Sequence, residues 1–226
     1  MRPLGNKKYV PDKRGADAVG MRELLRERAR FLRAFFANPR HVGAVLPTSR
    51  RTVRAMLDMA PIARARCVVE LGAGTGAHTR EILERLGPQG RLVAFEIEPT
   101  LSAALAAELQ DPRLRVIADS AANLEAHLDR QRPEVIVSAL PFTSLRAPVR
   151  REILGAARRV LADDGVMLVL QYSPLMKREL ERSFGSVEWR LSPLNLPPAV
   201  LFACHANARV SGSPTGSARG LDGGAQ

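Results

Sequence analysis

Val68-Val69-Glu70-Leu71-Gly72-Ala73-Gly74-Thr75-Gly76 runs directly into Ala77-His78-Thr79-Arg80-Glu81-Ile82-Leu83. The apolar run reads as a buried β-strand and the three alternating glycines as a tight turn. The segment after them reads as an amphipathic helix. Glycines at this junction allow backbone conformations closed to other residues and let a ligand approach the bare main chain at a helix N-terminus. The pattern therefore predicts a nucleoside-binding strand, turn and helix. The spacing Gly72-x-Gly74-x-x-Ala77 also fits a dinucleotide fingerprint, so the glycines alone do not choose the ligand.

Outward from this turn, strand-like and helix-like runs alternate. Strands are predicted at Cys67–Leu71, Arg91–Glu96, Leu114–Ala118, Val135–Leu140 and Val166–Tyr172, and helices at Thr79–Leu86, Leu101–Leu109, Ala122–Asp129, Val149–Leu161 and Leu175–Phe184. Five such steps imply a parallel sheet covered by helices on both faces. Two further extended runs, Val187–Leu191 and Ala199–His205, have no clear helix between them and predict an antiparallel edge hairpin. Thr48 or Ser49 can cap a helix running to about Ala60.

The 226 residues suffice for one well-packed domain with appendages. No apolar run approaches the roughly 20 residues of a transmembrane helix, and Met1–Lys8 lacks the apolar core of a secretory signal. Cys67 and Cys204 lie in apolar runs and read as buried free thiols, so a cytoplasmic protein is expected. The net charge of +11 is concentrated at one end: residues 1–66 hold 16 Lys/Arg against 5 Asp/Glu, whereas residues 67–226 hold 18 of each. Such a segment suits an anionic membrane or polymer; the plain alternative is a solvated face.

Residues 1–17 are polar and basic and are predicted to be flexible. From Asp17 to Ala37 the period is helical, with Met21, Leu24, Leu25, Phe31, Leu32, Phe35 and Phe36 on one face and Arg22, Arg26, Arg30 and Arg33 beside it. That pattern suits a helix in a membrane interface and equally a helix capping the core. The expected division is a flexible 1–17, a helical extension 18–62 contacting membrane or substrate, a ligand-binding domain 63–208 and a disordered Gly/Ser-rich tail 209–226.

Three carboxylates are predicted at successive strand ends. Glu70, inside the first strand end, suits an amino or ammonium group. Glu96 closes the second strand, where it can accept two ribose hydroxyls, with Glu98 as the competing candidate. Asp119 closes the third, followed by Ser120, and can accept from an adenine amino group. Together they suit a cationic nucleoside without phosphates. Here the chain resembles the class I S-adenosylmethionine-dependent methyltransferases over about residues 66–206. The resemblance implies a Rossmann-like α/β fold: a mostly parallel seven-stranded sheet with an antiparallel C-terminal hairpin, here with an N-terminal amphipathic extension. It also implies S-adenosylmethionine as cofactor, held by Glu70, Gly72, Gly74, Gly76, Glu96, Asp119, Ser120, Ser138 and Leu140.

The fourth strand runs into Ser138-Ala139-Leu140-Pro141-Phe142. Ribosomal RNA adenine dimethylases place an Asn or Asp in the corresponding turn to accept from the target amine, and this chain has Ala139 there. A second family fits better. Phe35-Phe36-Ala37-Asn38-Pro39-Arg40-His41-Val42-Gly43-Ala44-Val45-Leu46-Pro47-Thr48-Ser49 is similar to the opening of soluble-type bacterial phospholipid N-methyltransferases. Ser138–Phe142 resembles their Ser-Gly-Leu-Pro motif, Asn195-Leu196-Pro197-Pro198-Ala199 resembles their C-terminal block, and Tyr172 matches an aromatic after their fifth strand. That resemblance implies stepwise methylation of phosphatidylethanolamine towards phosphatidylcholine, by an enzyme lying on the inner face of the membrane.

The acceptor ammonium, with a pKa near 10 in water as for lysine, must lose a proton before it can act as a nucleophile. Desolvation beside a cation lowers that value. Phe142 and Tyr172 are candidates for cation–π contact with methylated ammonium groups, and His41 for the proton acceptor. Each of the rings Phe142, Tyr172 and Trp189 reads by default as a core residue. Arg22, Arg26, Arg30, Arg33, Phe35 and Asn195 are the candidates for contact with substrate or membrane. His78 reads as structural, and His127 and His205 as ordinary surface or strand residues. No metal site is expected, since no His/Cys/Asp cluster has ligand spacing. Three functions follow: a phospholipid N-methyltransferase, an RNA adenine-type N-methyltransferase for which nucleic acid would be the partner, or a basic membrane- or RNA-binding protein without turnover.

Overall fold

The computed structural model describes residues 48–193, 195 and 198–207. The fifteen-residue block 35–49 is therefore seen only at Thr48 and Ser49. The expectations for Arg22, Arg26, Arg30, Arg33, Phe35, His41, the flexible 1–17 and the tail 209–226 lie outside the described residues.

Seven strands form one sheet: β1 (Cys67–Leu71), β2 (Arg91–Phe95), β3 (Leu114–Ile117), β4 (Val135–Ser138), β5 (Val166–Gln171), β6 (Ser186–Ser192) and β7 (Ala199–His205). Their order is β3-β2-β1-β4-β5-β7-β6. The first five are parallel, and β7 enters antiparallel between β5 and the edge strand β6. This is the predicted α/β architecture with its terminal hairpin. The strand order reverses between β1 and β4, and ligands in open α/β sheets bind at the carboxyl ends beside such a switch point.

β1 is buried along its whole length, as a central parallel strand covered on both faces must be. Cys67, Val69 and Leu71 pack into one core with Leu154, Ala157 and Phe202. Val68 points the other way, into a second core with Val53, Met56, Leu57 and Ile82. The alternation places Glu70 on the Val68 face. Cys67 and Cys204 are both buried and free, and burial raises both thiols, Cys67 to about 11.

Five α-helices are described: α1 (Arg50–Leu57), α2 (Ala77–Arg85), α3 (Pro99–Glu108), α4 (Ala147–Val160) and α5 (Lys177–Ser183). Ser49 caps α1, its Oγ accepting from the Thr52 N–H at 3.2 Å. Val53, Met56 and Leu57 then fill the second core. α1 docks on α2 through ion pairs: Arg50 Nε and Arg54 Nε stand 2.7 and 2.9 Å from the two oxygens of the buried Glu81. Burial opposes ionisation of Glu81, yet these two guanidinium bonds hold its carboxyl below its ordinary range. Residues 50–62 are thus packed into the body of the domain, and residues 18–47 of the expected extension lie outside the described residues.

One expected helix differs in kind. Residues Ala121–His127 form 3-10 turns after a Ser120 cap, instead of an α-helix over 122–129. Ala121 and Leu124, three apart, are its buried pair, a spacing that eclipses in a three-residue turn. The segment ends at Asp129 and Arg130, with φ of 46° and 65°, which stops any helix there.

Candidate functional site

The glycine turn links β1 to α2 at the switch point. Gly72, Gly74 and Gly76 have φ of 80°, 54° and 80°, the left-handed region in which a Cβ is penalised. Beyond φ, space separates them. A Cβ on Gly72 would stand 2.6 Å from Leu140 Cδ2, whereas one on Gly74 would meet nothing within 4 Å. Gly72 is therefore required by packing against the turn after β4, and Gly74 leaves an open approach to backbone. The N–H groups of Gly72 and Ala73 both donate to the Phe95 carbonyl, at 2.9 and 3.0 Å, which ties the turn to β2.

Glu70 is only 2% exposed. Its Oε2 accepts from Thr79 Oγ1 at 2.7 Å, while its Oε1 is buried without a partner. Burial pushes the Glu70 carboxyl up to about 7, the Thr79 bond opposes that shift, and nearby Glu96 adds to it. An orphaned acceptor of this kind costs stability unless a ligand supplies charge or a donor. His78, at the start of the same helix, is buried with its Nε2 unpaired, and burial lowers it to about 4. It is a neutral structural histidine.

Glu96 is also buried, and both its oxygens hold backbone: Oε2 accepts from Gly74 N–H at 2.8 Å and Oε1 from Glu98 N–H at 2.9 Å. It clamps the glycine turn, and each oxygen keeps a second acceptor position for a hydroxyl. The competing Glu98 is the N-cap of α3, its carboxylate accepting from Thr100 N–H. Asp119 is more heavily engaged. Its Oδ1 accepts from Ser120 N–H at 2.6 Å and Asn123 Nδ2 at 2.9 Å, and its Oδ2 lies 2.8 Å from His127 Nε2. Burial works against its ionisation, but the His127, Ser120 and Asn123 bonds together hold the carboxyl below its ordinary range. One acceptor position on Oδ2 is left for a ligand amine. His127 is therefore more than a surface residue; it also packs edge-on against Phe95 at 5.6 Å.

Beside β1, Ser138 is fully buried and its Oγ accepts from Leu140 N–H at 3.3 Å, closing the turn after β4. The Leu140 carbonyl accepts from Gln171 Nε2 at 2.8 Å, so β5 holds that turn in place. Phe142 is corrected here: its ring is fully buried within the core, where no face is open to a substrate, and the core reading applies. Trp189 is corrected in the opposite sense. Read from sequence as a core residue, it is 52% exposed on the edge strand β6.

The candidate acceptor side is assembled from three distant stretches. Tyr172, half-buried at the end of β5, bonds through its hydroxyl to Thr48 Oγ1 at 3.1 Å. Ser49 N–H donates to Oδ1 of the buried Asn195 at 3.1 Å. Thr52 Oγ1 lies 2.9 Å from Ser192 Oγ. The ends of the 35–49 and 195–199 blocks and the aromatic after β5 thus meet at one place on the carboxyl edge. Thr79 and Gln171 were not singled out from sequence, and His127 reads there as an ordinary surface or strand residue. The detectable signals were a hydroxyl in the first helical turn after the glycines and a polar residue closing the run Val166–Leu170.

The residues fit S-adenosylmethionine. A cationic amino-acid moiety answers the orphaned Glu70, backbone is open at Gly74, and Glu96 and Asp119 retain acceptor capacity. Among the described residues no group of His, Cys, Asp or Glu could hold a metal ion, and no helix is long and apolar enough to cross a membrane.

Comparison with known proteins agrees. Residues 68–165 match a family described as a methyltransferase domain. An ornithine lipid N-methyltransferase of Singulisphaera acidiphila is 29% identical over 179 residues, covering 77% of this chain and 93% of that relative. A ribosomal RNA small subunit methyltransferase H of Ralstonia pickettii is 39% identical over 75 residues, 33% of this chain and 23% of that protein. Among solved structures, an O-methyltransferase family protein from Burkholderia thailandensis superposes with a TM-score of 0.57 at 16% identity, covering 70% of this chain and 56% of its own. This chain therefore spans little more than half of that neighbour. An S-adenosylmethionine-dependent O-methyltransferase from Thermotoga maritima gives a TM-score of 0.53 at 12% identity, covering 71% and 66%.

Proposed function

We propose that this S-adenosylmethionine-dependent methyltransferase of the class I fold methylates an amine on a lipid headgroup, namely phosphatidylethanolamine and its methylated intermediates, at a membrane surface. The observation that carries the lipid reading is similarity to the ornithine lipid N-methyltransferase along 93% of that relative. The same observation favours ornithine lipid as a second acceptor. The match to the ribosomal RNA enzyme reaches only 23% of that protein, so it weighs far less. The third reading, a binding protein without turnover, gives way to the methyltransferase assignment.

When bound, the cofactor supplies an electrophilic methyl group. The chain's own contribution is orientation and exclusion of water. Glu70, Glu96 and Asp119 would hold the cofactor from three strand ends. Ser138 and Gln171 fix the turn after β4, which packs against Gly72. Tyr172, held by Thr48, places an aromatic ring at the acceptor side, whose face would give a methylated ammonium cation–π contact. His41, the candidate proton acceptor, lies outside the described residues.

Purified full-length protein would be incubated with labelled cofactor and, separately, phosphatidylethanolamine vesicles, ornithine lipid vesicles and ribosomal RNA. Label in phosphatidylethanolamine supports the first reading, and label in ornithine lipid alone moves the assignment to the second. Label in RNA but in neither lipid sinks both.

A further inference from the structure

Three large apolar side chains stand exposed among the described residues: Leu175 at 79%, Trp189 at 52% and Leu191 at 57%. They fall within one corner of the fold. Trp189 and Leu191 are two apart on β6 and so share a face. Leu191 pairs with Val200, which pairs in turn with Gln171, so Leu191 stands level with the carboxyl end of β5. Leu175 follows that end by four residues, and Lys177 brings its Nζ to 5.8 Å from the Trp189 ring centroid. The chain also enters the described body at this edge, where Thr48 is bonded to Tyr172.

We propose that Leu175, Trp189 and Leu191, with Lys177 at their margin, are the surface by which the folded body seats on a lipid bilayer. This rests on the lipid-amine reading above. The composition is that of an interfacial site: leucines to enter the acyl boundary, an amphipathic indole at headgroup level, and a lysine whose stem can lie on apolar surface while its charge stays among headgroups. The seat would turn the carboxyl edge, and with it the acceptor side, towards the lipid.

Charge argues for lipid over the other two occupants. The margin exposes Arg178 and Arg182, while the nearby Glu179 is paired with Arg150 and Glu181 with Lys177. Residues 1–47 hold 11 Lys/Arg against 4 Asp/Glu, so the chain's own leader would bring like charge to this margin. A second copy would do the same. An anionic bilayer complements both the margin and the leader.

Trp189 is the one tryptophan of the chain, so intrinsic emission reports directly on the corner. Full-length protein would be titrated with vesicles of phosphatidylethanolamine and phosphatidylglycerol, with and without bromine on the acyl chains. The expected result is a blue shift and quenching by the brominated lipid. The double substitution Leu175→Ser and Leu191→Ser is expected to weaken vesicle binding by at least about tenfold, since each leucine loses apolar burial. Methylation of a monomeric short-chain acceptor should be unchanged. Protein that sediments with vesicles while its emission stays unmoved overturns the proposal, since other residues then dock. Emission that is blue without lipid and indifferent to vesicles, or that shifts with protein concentration alone, also overturns it, because the leader or a second copy then covers the corner. Docking without lipid methylation leaves this surface standing and removes the substrate reading; methylation with an unmoved Trp189 does the reverse.

Discussion

The two halves of the carboxyl edge are built on different length scales. On the cofactor side, the carboxylates are held by residues no more than 22 positions away in the chain. Glu70 bonds Thr79, Glu96 bonds Gly74 and Glu98, and Asp119 bonds Ser120, Asn123 and His127. On the acceptor side, Thr48–Tyr172, Ser49–Asn195 and Thr52–Ser192 join residues 124, 146 and 140 positions apart. The cofactor side is thus a local device that a strand, a turn and a helix can specify together. The acceptor side exists only once β7 has been inserted and α1 has docked. Cofactor binding should therefore survive damage to the acceptor side, whereas acceptor recognition should be the more easily lost.

Gly72→Val is the harshest way to break this contrast. It places a β-branched residue at a φ of 80° with its Cβ 2.6 Å from Leu140. The expected cost is about 3 kcal/mol of stability, from strain and overpacking combined, and it should take cofactor and acceptor functions together. A thermal melt and calorimetric cofactor binding check it; an unchanged melt would contradict the packing role given to Leu140.

Glu70→Gln should be gentler on the fold and severe on the cofactor. A carboxyl raised to about 7 contributes stability that is complete below its unfolded value and is lost as pH rises through about 7. The glutamine variant should therefore gain on the wild type as pH climbs from about 5 to 8. Cofactor affinity runs the other way. A cationic ligand favours ionised Glu70, so wild-type affinity should fall as pH drops below about 7, while the variant should be weaker and nearly flat. Parallel pH profiles for the two proteins would remove Glu70 from the ligand.

Asn195→Ala strands the Ser49 N–H and should cost about 1–2 kcal/mol. It should raise the acceptor KM several-fold while cofactor affinity stays within about twofold. Equal losses in both would mean that the two halves are not separable. Tyr172→Phe is the mildest test. It removes the bond to Thr48, worth about 1 kcal/mol or less at a half-buried site, and keeps the ring. Turnover should be nearly retained in Tyr172→Phe and fall in Tyr172→Ala, measured on the same lipid.

The legibility of the sequence divides along the same line. Apolar runs placed the five parallel strands to within a residue or two, since buried parallel strands leave little room for polar residues. The glycine turn and the strand-end carboxylates were legible for a similar reason. Phe142 and Trp189 were not. A ring's exposure depends on which elements lie over it, and pairing order alone made β6 an edge and closed the core around Phe142. Hidden too were the Gln171 brace on the Leu140 carbonyl and the His127 bond to Asp119, because a polar side chain does not declare its partner in sequence.

By itself, then, the sequence determined the α/β alternation, the nucleoside turn at Gly72–Gly76 and the carboxylates that favour a cationic ligand. Each is written in short-range spacing, which backbone sterics and hydrophobic periodicity translate directly into local structure. Only the tertiary structure decided that Glu70 carries an unpaired buried oxygen and that Thr48, Tyr172 and Asn195 meet. It alone gathered Leu175, Trp189 and Leu191 at one corner. Those outcomes depend on contacts between residues far apart in the chain, and burial, not residue type, sets what each group can do.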